Sequence, residues 1–166
     1  MSLYDSIGTS DLRVVSETVA HGKRVPVRVL VADKDTSTGR LLLSFGEREG
    51  YRVVTVDDGR EAYRMLKSDG DFKAVVFDIA LPHVEGVEIV RYMKSEKRLM
   101  HIPIVVLAGE GGLKFISECF SAGAIAFLPK PFTTEQLRRT LHMAIGSQPS
   151  TEFRISPVGG SESRLY

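Results

Sequence analysis

The sequence predicts an α/β fold, a doubly wound parallel sheet of five strands with five helices. Three observations predict it. Short apolar runs recur along the chain and stop at turn residues; in Ala74-Val-Val-Phe77 nothing alternates with polar groups, as expected of a strand buried on both faces. Between the runs lie segments whose apolar residues recur at helical spacing. The connections are short, and strands alternating with helices on short loops imply parallel pairing under helices on both sides.

Residues 1–26 read as an N-terminal extension or linker with little sustained pattern. Leu12, Val15 and Val19 share one helical face, with Ser10 as a cap and Gly22 as a stop, but β-branched residues weaken the helix. A short helix and a flexible leader both stay open. From residue 27 to 146 the strand–helix pattern holds. Val27-Arg-Val-Leu-Val-Ala-Asp33 is the first expected strand, and Lys34 to Thr38 offers several N-caps for a helix with Leu41, Leu42 and Phe45 on its inner face. Gly50 is that helix's natural stop. Tyr51 to Val56 is the second strand; Asp57-Asp-Gly59 turns into a helix carrying Ala62, Met65 and Leu66, and Gly70 closes it. The third strand runs from Ala74 to the carboxylate Asp78, and Pro82 prevents it from continuing. Val87, Val90 and Met93 mark the next helix, and Ile102 to Ala108 the fourth strand. Gly109-Glu-Gly-Gly112 is expected to be a flexible turn before a helix built on Ile116 and Phe120, with Cys119 packed as a small hydrophobe. Ala124 to Leu128 is the fifth strand, broken by Pro129-Lys-Pro131. Thr133 and Gln136 stand at capping-box spacing before a helix lined by Leu137, Leu141, Ala144 and Ile145. Residues 147–166 are polar, interrupted by Pro and Gly, and read as a disordered C-terminal tail.

Composition narrows the function. The chain has 166 residues, 43% of them hydrophobic and 26% charged, enough for one full core. Lys and Arg number 22 against 21 for Asp and Glu, so no net field draws the chain to nucleic acid or to an anionic membrane. One cysteine excludes an internal disulfide and fits a reducing compartment. Neither a membrane span nor a signal peptide is legible, which gives the expectation of a cytoplasmic, single-domain protein.

In doubly wound sheets ligands gather outside the carboxyl ends of the strands. The first strand delivers Asp33 there, the third Asp78, the fourth Ala108 and the fifth Lys130. A charged group at such a strand end is costly to desolvate unless a cation, a metal or solvent answers it. Two carboxylates and an ammonium at one edge suit a hard divalent cation and a phosphoryl group.

Leu30-Val-Ala-Asp33, Val76-Phe-Asp78-Ile-Ala-Leu-Pro82, Gly86, Ile102-Pro103, Gly123-Ala124 and Phe127-Leu-Pro-Lys130-Pro131-Phe132 together resemble the receiver domains of two-component response regulators, chemotaxis regulators among them. The resemblance covers about residues 27–146 in order. It implies a flavodoxin-like sheet of strand order 2-1-3-4-5. It also implies Asp78 as phosphoacceptor, taking its phosphoryl group from a phosphohistidine on a histidine kinase or histidine phosphotransfer protein. Asp33, Asp78 and the carbonyl of Ala80 become Mg²⁺ ligands, and Lys130, Gly109 and Ala80 the groups that hold the phosphoryl. Phe127 stands at the family's switching aromatic, and the Lys130–Pro131 bond is expected to be cis. Such a protein is a phosphorelay switch acting by contact with an output protein or with itself. Its only chemistry is self-catalysed phosphotransfer and dephosphorylation.

Two positions depart from the family's pattern. Receivers carry two adjacent acids after the first strand; here the second position is Lys34, which implies weakened Mg²⁺ binding if its ammonium turns to the site. A solvated Lys34 is the other reading. The Ser or Thr that ends the fourth strand is Ala108, and its missing hydroxyl puts the coupling to Phe127 in question. These substitutions keep an alternative alive, a phosphorylation-independent pseudo-receiver serving as a docking or dimerisation module. A flavin enzyme on the same topology lacks its phosphate loop, although Thr36-Ser-Thr38 is a faint echo of one. His83 reads as an exposed loop residue and Arg138-Arg139 as a solvated helix patch.

Overall fold

The computed structural model describes residues 25–146. The expected extension helix around Leu12, Val15 and Val19 and the expected tail from Ser147 lie outside the described residues. Five strands form one parallel sheet: β1 (Val27–Ala32), β2 (Tyr51–Val56), β3 (Ala74–Asp78), β4 (Ile104–Ala108) and β5 (Ala126–Pro129). Their order is β2-β1-β3-β4-β5, as the family resemblance implied. The helices are α1 (Thr36–Gly46), α2 (Gly59–Ser68), α3 (Gly86–Ser95), α4 (Ile116–Ala122) and α5 (Thr134–Gly146).

Side chains alternate across the pleat, so the central strands feed two cores at once. Leu30, Ala32, Val75, Phe77, Ile104, Val106 and Ala108 join Ala62, Leu66, Val90, Met93 and Cys119 under α2, α3 and α4. Val29, Val31, Ala74, Val76, Val105 and Leu107 meet Leu42, Phe45, Leu137 and Leu141 under α1 and α5. Burial on both sides is why β3 and β4 carry no polar residue except the terminal Asp78.

Most elements begin and end where the sequence placed them. Asp35 caps α1 through Ser37 N–H, Asp58 caps α2 through Arg60 N–H, and Thr133 and Gln136 exchange both capping-box hydrogen bonds. Several expectations need correction. β4 starts at Ile104 rather than Ile102, whose N–H still bonds Leu99 C=O. α1 ends at Gly46 rather than running to Gly50, and turns bridge the residues between. β5 starts at Ala126 rather than Ala124, because the N–H groups of Gly123 and Ala124 still bond the last carbonyls of α4, at Cys119 and Phe120. The glycine-rich segment is no loose turn: Glu110–Phe115 is a 3₁₀ helix opened by Gly112 N–H on Gly109 C=O at 3.0 Å. That turn sets the phase of α4, so Phe120 faces solvent at 45% exposure while Cys119 enters the core at 1%. Among the described residues no helix is long and apolar enough to cross a membrane.

Candidate functional site

Parallel register assembles the site. Ala32 of β1 is paired with Phe77 of β3, so the next residue on each strand, Asp33 and Asp78, leaves the sheet at the same level. Asp33 N–H still bonds Val56 C=O at 3.0 Å, which holds it to the ladder as the strand ends. Both carboxylates are buried, at 5% and 8% exposure. Beyond β3, Ala108 of β4 is paired with Pro129 of β5, and Lys130 N–H donates to Ala108 C=O at 2.9 Å. That anchor turns the Lys130 side chain back across the strand ends. Its ammonium lies 2.8 Å from Asp33 Oδ2 and 2.5 Å from Asp78 Oδ2. The Lys130–Pro131 bond is cis.

Every polar atom of this cluster has a partner. Asp78 Oδ1 accepts from Ala80 N–H at 2.8 Å, Asp33 Oδ1 from Asp35 N–H at 2.8 Å, and Asp33 Oδ2 from the Thr38 hydroxyl at 2.6 Å. Burial alone would depress the ammonium of Lys130, but the hydrogen bonds to Asp33 and Asp78 outweigh it and hold the pKa above the ordinary lysine value. One ammonium against two carboxylates leaves the cluster a unit of negative charge, which favours a further cation over a free anion.

The donor set fits a small, hard ion. Asp33 and Asp78 offer carboxylate oxygen, Ala80 lines the cleft beside Asp78, and Mg²⁺ takes one or two carboxylates while keeping waters. Among the described residues no group of three or more His, Cys, Asp or Glu could hold a metal ion, so the set stops at two carboxylates. Lys34 is exposed. A cleft of about 280 Å³ opens beside Asp78, walled by Ala80, Gly109, Gly112, Phe115 and Lys130. Ala108, next to Gly109 in the chain, is fully buried. Phe127 is half-buried on the same core face as Ala108, one strand over.

Two features escaped the sequence reading. Thr38 reads in the sequence as a candidate cap and as part of a faint phosphate-loop echo, yet it is fully buried and its hydroxyl reaches Asp33. His83 is exposed as expected, but it adopts φ 71° and its Nδ1 lies 2.6 Å from Asp58 Oδ2, tying the β3–α3 loop to the start of α2. Twenty-five positions separate that pair, and no local signal joins them.

Comparison with known proteins gives these positions a context. The family profile described as "Response regulator receiver domain" matches residues 29–142. The chain is 29% identical to the chemotaxis protein CheY1 of Helicobacter pylori over 122 residues, covering 73% of this chain and 98% of that one. It is 32% identical to the two-component response regulator ORR11 of rice, covering 73% of this chain and 82% of that one. Among solved structures it resembles the receiver domain of a sensor histidine kinase from Pseudomonas aeruginosa, with a TM-score of 0.64 and 26% identity over 74% of this chain and 99% of that one. That structure has a magnesium ion coordinated in its active-site cleft.

Proposed function

The chain belongs to the response regulator receiver domain family, and from that premise we propose that it is a phosphorelay switch whose acceptor is Asp78. The donor is a phosphohistidine on a histidine kinase or histidine phosphotransfer protein. An Asp78 oxygen bonds to phosphorus as the bond from phosphorus to the donor imidazole breaks, and the electron pair returns to the imidazole ring. Ala80 N–H fixes Asp78 Oδ1 during the approach, leaving Oδ2 against Lys130. Lys130 then follows the negative charge from the carboxylate to the phosphoryl oxygens, with the N–H of Gly109, and that of Ala80 once it turns from Asp78 Oδ1, as further donors. A Cβ at Gly109 would meet nothing within 4 Å, so an arriving group finds backbone there without a side chain in the way. Asp33, Asp78 and the Ala80 carbonyl would hold Mg²⁺, weakly because Lys34 stands where the family carries a second acid. Bound there, the ion supplies positive charge opposite the transferred oxygens.

The observation that carries this reading is the Lys130 ammonium shared between Asp33 and Asp78 at adjacent strand ends. Incubation with Mg²⁺ and a small acyl phosphate, read by intact mass, tests it. One phosphoryl group is expected on the parent chain and none on Asp78→Asn. Phosphate found on Asp33 or Asp35 instead would overturn the assignment.

A second reading has its own support. Lys130 already satisfies both carboxylates, and Ala108 offers no hydroxyl to a phosphoryl group. On that reading the domain docks a partner or a second copy without being phosphorylated, and no form gains mass.

A further inference from the structure

Resting on the receiver reading, we propose that Thr38 is a positioning residue for phosphoryl transfer. Its hydroxyl locks the Asp33 carboxylate in the orientation from which Asp33 and Asp78 share one cation. Three groups hold Asp33: Asp35 N–H on Oδ1 at 2.8 Å, and the Thr38 hydroxyl at 2.6 Å with the Lys130 ammonium at 2.8 Å on Oδ2. A carboxylate oxygen has two in-plane acceptor positions. Oδ2 is therefore full, and the one position left is on Oδ1. Without the Thr38 hydroxyl the carboxylate would keep only Asp35 N–H on Oδ1 and, on Oδ2, a Lys130 ammonium also bonded to Asp78.

The choice of partner is informative. A helical threonine with no other task bonds the carbonyl one turn back. Thr38 is fully buried in the first turn of α1, and its proton goes instead to a carboxylate five residues away in sequence. The next residue makes that reach possible. Gly39 is buried against β2, where a Cβ would lie 2.9 Å from Thr55 Cγ2, so a larger residue there requires either the Thr55 side chain or the start of α1, and Thr38 with it, to shift.

The test compares Thr38→Val, which keeps the shape and loses the hydroxyl, with Thr38→Ser, which keeps the hydroxyl. Mg²⁺ affinity is measured by NMR titration of backbone amides, and phosphorylation by a small acyl phosphate is followed by intact mass at varied Mg²⁺ and donor. In Thr38→Val, Mg²⁺ affinity and the phosphorylation rate should each fall roughly tenfold or more, the effect of losing one hydrogen bond to a charged group. Thr38→Ser should behave as the parent does. Thr38→Val matching the parent in both measurements would overturn the proposal, as would equal losses in Thr38→Val and Thr38→Ser, which would make packing the cause. If Thr38→Val does not fold, Thr38→Ala against Thr38→Ser makes the same comparison at nearly equal size. A parent chain that binds Mg²⁺ but gains no phosphoryl group sinks the phosphoacceptor reading and leaves the Mg²⁺ comparison to judge Thr38; one that does neither overturns both.

Discussion

Ala108 is fully buried, and the chain folds back on it within four residues. A Cβ on Gly112 would lie 2.9 Å from Ala108 Cβ and 2.5 Å from Ile79 Cγ2, so the glycine permits an approach that no other residue allows. Ala108→Thr would restore the hydroxyl that the family carries at this position, a donor beside the phosphoryl group. The packing adds a cost. Threonine brings two more heavy atoms beside this close approach, and overpacking costs about 1–3 kcal/mol. Ala108→Thr should therefore lower the urea midpoint of the unphosphorylated chain and speed amide exchange across Glu110–Phe115. Unchanged stability and exchange would mean the added atoms find space elsewhere. At this scale the sequence revealed the charged site and hid its surroundings. Asp33, Asp78 and Lys130 stand out because charge ends an apolar run, whereas Thr38 and Gly112 look like ordinary helix-start and turn residues until the chain is folded.

Elements were legible wherever an apolar period ran for several turns, and less so where two short elements abut. α4 has seven residues and follows a 3₁₀ turn, so Ile116 and Phe120 could not fix its phase, and Phe120 came out exposed. α5 is the opposite case, with its inner face read correctly at Leu137, Leu141 and Ala144. Its outer face, expected to be merely solvated, carries a network. Glu135 accepts from Arg138 at 2.7 and 2.8 Å and from Arg139 at 2.8 Å, while Arg138 and His142 reach Glu49 beyond the end of α1. Arg138 first and Arg139 second hold the Glu135 carboxyl at about 2, below the ordinary 4.5. The folded group thus binds its proton more weakly than the unfolded one. Its contribution is complete above about pH 4.5 and is lost as pH falls toward 2. The group is fully exposed, so the effect is small and screened by salt. Thermal melts across that window should fall more steeply for the parent than for Glu135→Gln at low ionic strength, and the difference should shrink in high salt. Parallel curves at low salt would show that the network adds nothing to folding.

At the scale of the molecule, a sheet buried on both faces needs both helix layers before either core is dry. The two cores draw their residues from Val29 to Ala144, and every strand except the outer pair has a neighbour on each side. The fold class was legible for the same reason: strands that must be apolar on both faces leave unbroken hydrophobic runs, and the helices between them show their inward stripe. The boundaries of the unit follow. If residues 27–146 are the whole receiver domain, a fragment of residues 25–146 has all the surface that cooperative unfolding exposes. The denaturant slope scales with that surface, so fragment and full chain should share both slope and midpoint. Phosphoryl gain on Asp78 and Mg²⁺ affinity should also match, since Asp33, Asp78, Ala80, Gly109 and Lys130 all lie within the fragment. A smaller slope with a lower midpoint would instead mean that the outer segments bury apolar surface on the domain. The exposed side chains of Leu113, Phe115 and Phe120, at 48%, 42% and 45%, would then be the first place to look for the contact. Equal stability with altered phosphoryl gain would separate the two roles, leaving folding to residues 25–146 and placing a control of the site outside them.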